Sequence, residues 1–135
     1  MAEKRAQQGS APVNSYELTY QNQSLIRETN HVIGASHASD IRLKFDNPDF
    51  IDPPKGQERY EAFGGDKSEP HRQAAHNMSR MWANFARTGH PSAEGQPTWP
   101  AYTMARRETM LINSQCRVVS DPEHDERRFW QSLKV

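Results

Sequence analysis

Residues 46–67 hold Pro48, Pro53, Pro54, Gly56, Gly64 and Gly65 among scattered charges. Proline removes backbone donors and glycine weakens any regular element, so the stretch reads as a long surface loop. Structureless loops of that length are uncommon in small compact domains. It suggests an excursion across a body larger than this chain's own core. The apolar content points the same way: 34% of the 135 residues are hydrophobic, a thin supply for one domain-length chain. Three Trp within 9% aromatic residues, and balanced charge, still separate it from disordered chains.

Seventeen basic residues face 17 acidic ones, so the net charge is zero. No bulk field concentrates polyanions, which argues against nucleic acid as the main partner. The single cysteine, Cys116, excludes an internal disulfide framework and an all-cysteine metal cage. No apolar run approaches the roughly 18 residues of a membrane helix. The polar start, Met1 to Gln8, carries no signal-peptide apolar region, which leaves the cytoplasm as the default compartment.

The first twelve residues read as a frayed helix end and a turn. Tyr16, Leu18 and Tyr20 then alternate with Ser15, Glu17 and Thr19, the period of a half-buried strand over 13–20. Residues 21–33 read as a polar connection. Gly34 breaks the chain before a short amphipathic segment with Ile41, Leu43 and Phe45. After the long loop comes the strongest helix signal, 69–88. Ser68 can cap it, Pro70 suits its first turn, and Gly89 with Pro91 ends it. Ala74, Met78, Met81, Trp82 and Phe85 recur at three- and four-residue steps as one apolar stripe. Residues 109–113 and 117–120 read as a buried strand and its hairpin partner. Asp121-Pro122 opens a last helix whose apolar face is Phe129, Trp130 and Leu133. The order is α/β, with too few strands to close a sheet.

Of the six histidines, His71, His76, His90 and His124 read as solvated surface. His71 and His76 stand five apart on one helix and do not share a face, so the sequence gives no support to a zinc site. His37 differs. It lies on a tight turn, Gly34-Ala35-Ser36-His37, directly before a short helix, in the kind of loop where α/β proteins place catalytic groups. An imidazole there can serve as a general base near neutral pH, although by position alone an ordinary loop histidine is the better reading. Gly34-Ala35-Ser36-His37-Ala38 also approaches the G-x-S-x-G nucleophile elbow without its final glycine, which makes Ser36 a candidate nucleophile. A histidine one residue along cannot easily fold back to that hydroxyl. Cys116 reads as a half-buried structural thiol. Gly64-Gly65 is no phosphate loop. The pairs Arg106-Arg107 and Arg127-Arg128 read as solvated faces balanced by acidic neighbours.

Gly34-Ala35-Ser36-His37-Ala38-Ser39-Asp40-Ile41 resembles the catalytic-histidine segment of type-B carboxylesterases, a family that includes bacterial para-nitrobenzyl esterases and the cholinesterases. That segment reads Gly-x-x-His, a small residue, one more residue, Glu or Asp, then Ile or Leu. Met81-Trp82-Ala83-Asn84-Phe85-Ala86-Arg87-Thr88-Gly89-His90-Pro91 resembles the family's Trp-x-x-Phe-Ala-x-Thr-Gly-x-Pro signature. Trp99-Pro100-Ala101-Tyr102 and Thr109-Met110-Leu111-Ile112-Asn113 follow at the family's spacing, and Ala11-Pro12-Val13 into Tyr16 looks like its strand before the histidine loop. The likeness spans about residues 2–133.

The resemblance implies an α/β fold, the C-terminal fragment of an α/β-hydrolase. About three strands and three or four helices are expected, with an incomplete sheet and residues 1–135 short of a complete domain. It implies ester hydrolysis by a triad ordered Ser, acid, His, with His37 at the histidine position and no cofactor. Ser36 does not match the nucleophile; nucleophile, acid and oxyanion hole lie upstream in the family. The chain alone is then expected to be inactive, and the partner of the whole enzyme to be a small-molecule carboxylic ester. A catalytically inactive fragment or an adhesion-type interaction module of the same fold is the alternative. Arg42 and Lys44 stand where the family usually carries apolar residues or proline, a departure that bears on local packing. The open sheet edge is expected to promote self-association.

Overall fold

A computed structural model describes residues 2–26, 29–48 and 66–133, so most of the long loop expected over 46–67 lies outside the described residues. Along the chain these form α1 (Ala2–Gln8), β1 (Ser15–Leu18), β2 (Asn22–Leu25), β3 (Val32–Gly34) and α2 (Asp40–Lys44). Then follow α3 (Glu69–Thr88), β4 (Glu108–Ile112), β5 (Arg117–Ser120) and α4 (His124–Ser132). The main sheet has the order β1-β4-β5. β1 runs parallel to β4, from Ser15 opposite Thr109 to Leu18 opposite Ile112. β5 closes the expected hairpin, antiparallel to β4 from Glu108–Ser120 to Leu111–Arg117.

β4 is central because its composition suits burial on both faces. All five residues, Glu108 to Ile112, are buried. The charged one is held by three contacts: the Thr103 hydroxyl (2.9 Å) and amide (3.3 Å), and the Arg106 guanidinium (2.9 Å). Burial works to raise the Glu108 pKa, but these contacts outweigh it and leave it lowered.

α3 packs across this sheet, bounded by the caps read from sequence. The Ser68 hydroxyl accepts from the His71 amide, and Gly89 adopts φ 75° while its amide bonds to the Phe85 carbonyl at 2.8 Å. The core joins Ala75, Met78 and Met81 of α3 to Met110 and Ile112 of β4, with Leu43, Trp99 and Cys116 around them. Asn77 Nδ2 donates to the carbonyls of Asn113 and Ser114, both at 3.0 Å, and so locks the helix to the β4–β5 turn. The apolar stripe stops short of its expected length: Phe85 is 48% exposed. The apolar face of α4 is also open, since Phe129, Trp130 and Leu133 are all exposed.

The stretch read as a polar connection contains a second, two-stranded ribbon. β2 and β3 pair antiparallel, with Asn22 opposite Gly34 and Leu25 opposite Val32. Short polar strands such as Asn22-Gln23-Ser24-Leu25 lack the apolar alternation that announces a strand, so the pairing is set by tertiary context. Among the described residues, β1 has no partner strand on its outer side.

Candidate active site

β3 ends on Gly34, whose φ of 67° turns the chain, and the turn carrying His37 runs from there to the first residue of α2. Ser39 closes it, with its amide (3.1 Å) and hydroxyl (2.7 Å) both donating to the Ser36 carbonyl. The Ile41 amide then donates to the Ala38 carbonyl at 3.1 Å. Ala38 sits at φ 65°, a left-handed conformation that costs an L-residue about 1–2 kcal/mol. Methyl is the smallest side chain that meets that cost, and such strain clusters where a side chain must be aimed. His37 is exposed on this turn. It lines an open depression with Tyr16, Leu18, Ser36, Asp40 and Lys44.

Ser36 and His37 do not form a nucleophile–base pair. The Ser36 hydroxyl oxygen is buried and has no hydrogen-bond partner among the described residues. A serine activated by histidine needs that contact at about 2.6–3.2 Å.

Below the turn lies a cluster that the sequence did not announce. The Tyr16 hydroxyl donates to Asp40 Oδ2 at 2.9 Å, and Lys44 Nζ meets the same oxygen at 2.6 Å. Lys44 Nζ also lies 5.8 Å from the Tyr16 ring centre and 5.5 Å from that of Trp82. Tyr16 stands edge-on to Trp82, with centroids 4.8 Å apart. Burial, then the Asp40 carboxylate, push the Tyr16 hydroxyl above its ordinary pKa. Burial opposes the charged forms of Asp40 and Lys44, but their mutual bond and the Tyr16 hydroxyl prevail: Asp40 is lowered and Lys44 raised. The Asp40–Lys44 spacing of four residues was the available signal for this pair.

A second polar cluster corrects the reading of His71 as surface. His71 is 5% exposed, its ring stacked on Tyr20 with centroids 5.2 Å apart. Its Nδ1–H donates to the Asp66 carbonyl at 2.5 Å. The buried Asp66 carboxylate accepts from the Tyr20 hydroxyl (2.5 Å) and from the amides of Gln23 (3.1 Å) and Ser68 (3.0 Å). Burial alone would raise the Asp66 pKa; the bonds from Ser68, Tyr20 and Gln23 instead bring it down to about 2. Tyr20 is pushed up to about 12, by burial first and by Asp66 second. The cluster ties the end of β1 and the start of β2 to the N-terminus of α3.

The other candidates fall into place around these two. His76, His90 and His124 are exposed, as the sequence suggests. Cys116 is buried, its thiol 3.4 Å from the Asn113 carbonyl and its pKa raised by burial, which suits a structural role. The arginine pairs are not uniformly solvated. Arg127 forks onto both oxygens of Asp121 (2.8 and 2.7 Å), and Arg107 bonds Glu3 at 3.0 Å, so α1, α4 and the strand ends share an ion network. Among the described residues no helix is long and apolar enough to cross a membrane.

Comparison with known proteins follows the same line as the site. The sequence pattern of the Carboxylesterase family matches residues 1–130. Carboxylesterase 5A of Felis catus is 34% identical over 125 residues, which cover 93% of this chain and 22% of that protein. The para-nitrobenzyl esterase of Bacillus subtilis (strain 168) is 39% identical over 57 residues, covering 42% of this chain and 12% of that protein. Among solved structures, a PNB esterase superposes with a TM-score of 0.70 at 27% identity, over 90% of this chain and 22% of that one. A carboxylesterase of Geobacillus stearothermophilus gives a TM-score of 0.64 at 29% identity, over 94% of this chain and 23% of that one. The chain thus spans about a fifth of the length of the curated relatives it matches. The main sheet and its helices are part of an α/β-hydrolase fold, and the chain belongs to the carboxylesterase family.

Proposed function

We propose that this chain forms the C-terminal part of a carboxylesterase domain and supplies its general base, His37. The observation that carries the reading is the turn itself. An exposed imidazole stands between Gly34 at φ 67° and Ala38 at φ 65°, at a strand-to-helix junction, in a chain matched to the family over residues 1–130. In this reading the serine nucleophile, the acid and the oxyanion donors come from outside residues 1–135, and the substrate is a small carboxylic ester. His37 takes the proton of the serine hydroxyl as the oxygen attacks the ester carbonyl. It passes that proton to the departing alkoxide, which leaves as an alcohol. It then takes a proton from the water that attacks the acyl-enzyme and returns it to the serine.

The division of labour is tested with two proteins. One is the isolated chain; the other is the Bacillus subtilis para-nitrobenzyl esterase with its corresponding segment replaced by residues 2–133. The isolated chain is expected to show no saturable hydrolysis of para-nitrophenyl acetate, because in this reading the serine nucleophile and the oxyanion donors come from outside residues 1–135. The exchanged enzyme is expected to turn the ester over. Saturable turnover by the isolated chain, abolished by Ser36→Ala, would instead make Ser36 the nucleophile. A folded but inactive exchanged enzyme would favour the non-catalytic alternative.

A further inference from the structure

Lys44 is one of the two family departures on α2, and its surroundings give it a task. Its ammonium lies 2.6 Å from Asp40 Oδ2, one turn back on the same short helix. That carboxylate oxygen also accepts from the Tyr16 hydroxyl of β1 at 2.9 Å. The ammonium meanwhile faces the rings of Tyr16 and of Trp82 on α3. One cation therefore joins three elements: α2, β1 and α3. α2 spans only five residues, and its Ser39 N-cap forms no side-chain bond to the helix amides. A helix so short is not stable by itself, because its nucleation cost is met by too few hydrogen bonds. Its outward residues Ile41 and Phe45 are exposed, so Leu43 is its one buried anchor. Leu43 and the Tyr16–Asp40–Lys44 contacts thus tie the turn that precedes Asp40 to the sheet.

We propose that Lys44 is a positioning residue for His37: the Asp40–Lys44 pair, clamped on Tyr16 and Trp82, fixes α2 on the sheet and so fixes the turn that presents the imidazole. The proposal rests on the reading of His37 as general base only for its catalytic meaning; the clamp is measurable without catalysis. A charge-assisted pair over aromatic faces holds geometry that a bare apolar contact leaves free, since it specifies distance and direction at once. The sequence departure at position 44 is then a substitute anchor.

The test is amide hydrogen exchange on the full chain, followed by NMR for wild type, Lys44→Met and Lys44→Arg. The amides of Ser39 and Ile41 report the turn, because they bond across it to Ser36 and Ala38. Met110 in β4 reports the core. Lys44→Met is expected to speed exchange at Ser39 and Ile41 about tenfold, the local opening that follows loss of a tethering contact, with Met110 unchanged. Lys44→Arg, which keeps the positive charge that pairs with Asp40 and faces the two rings, is expected to restore near wild-type rates. Two results overturn the proposal: unchanged exchange at Ser39 and Ile41 in Lys44→Met, or equal acceleration at Met110, which would make Lys44 a general requirement of the fold. Failure of the general-base reading is a separate result, seen as retained turnover on His37→Ala in the segment-exchanged enzyme.

Discussion

The β4–α3 body and the β3–α2 site region are held by different physics. In the body, β4 is buried along its whole length, and Ala74, Ala75, Met78 and Met81 of α3 are fully covered. In the site region Leu43 is buried, while Val32, Ile41 and Phe45 are exposed. The body draws on burial of apolar area, at about 1.5–3 kcal/mol per large side chain. The site region draws on polar clusters: Tyr16–Asp40–Lys44 beneath the turn and Tyr20–Asp66–His71 beside it. Such clusters specify direction more than they add stability, because each bond replaces one to water. The difference teaches that the turn carrying His37, the proposed general base, is held by hydrogen bonds and strain, on a foundation supplied elsewhere.

The comparison breaks most visibly in the body. Met81→Ala or Ile112→Ala is expected to cost about 2–5 kcal/mol in denaturant unfolding, the usual range for emptying a fully buried site. Ile41→Ala in the site region is expected to cost under about 0.5 kcal/mol, as exposed positions do. Equal losses in the two places would contradict the division.

Next in size is the Asp66 cluster. Asp66→Asn is expected to cost about 1–3 kcal/mol, the range for disturbing a buried, hydrogen-bonded group. Its folded pKa is lowered to about 2, below the unfolded value near 4. The stabilisation is therefore complete above about pH 4 and disappears as pH falls through about 2. Unfolding curves between these limits are expected to be steeper in pH for the wild type than for Asp66→Asn. Parallel pH profiles would remove Asp66 from the account. His71→Ala opens a buried stacking site and is expected to destabilise at neutral pH, whereas His76→Ala is expected to leave stability unchanged within about 0.5 kcal/mol.

A smaller effect sharpens the view of the turn. Ala38→Gly relieves the left-handed strain and is expected to raise stability by up to about 1 kcal/mol, while Ala38→Val lowers it. Thermal unfolding with a lower midpoint for Ala38→Gly would contradict the strain argument. The weakest expected effect is association of the isolated chain through the outer edge of β1. Sedimentation velocity is expected to show mass rising with concentration, held in check by the exposed Glu17 on that strand. A strictly monomeric chain at high concentration would show that the edge is covered.

What the sequence made legible follows the same division. α3 was readable from end to end because Ser68, Gly89 and the Ala74–Met78–Met81 spacing all point to one element. The β4–β5 hairpin was readable from its apolar and β-branched runs. The β2–β3 ribbon was not, because Asn22 to Ser24 carry no strand pattern and their pairing depends on residues ten or so positions away. His71 was misread for a related reason: its burial is created by Tyr20 and Asp66, which no local pattern links to it. His37 stood out by its turn, and the family resemblance then gave it a role. The clamp beneath it was only half visible, since the Asp40–Lys44 spacing is local but Tyr16 and Trp82 are joined to it by the fold.

The most direct measurement concerns His37 itself. In the segment-exchanged para-nitrobenzyl esterase, His37→Ala is expected to lower kcat for para-nitrophenyl acetate by at least about 10³-fold, as loss of a triad member does. His76→Ala, an exposed histidine on α3, is expected to leave kcat within about twofold, in line with a surface substitution remote from the chemistry. Near-normal turnover in a folded His37→Ala enzyme would contradict the account at its centre.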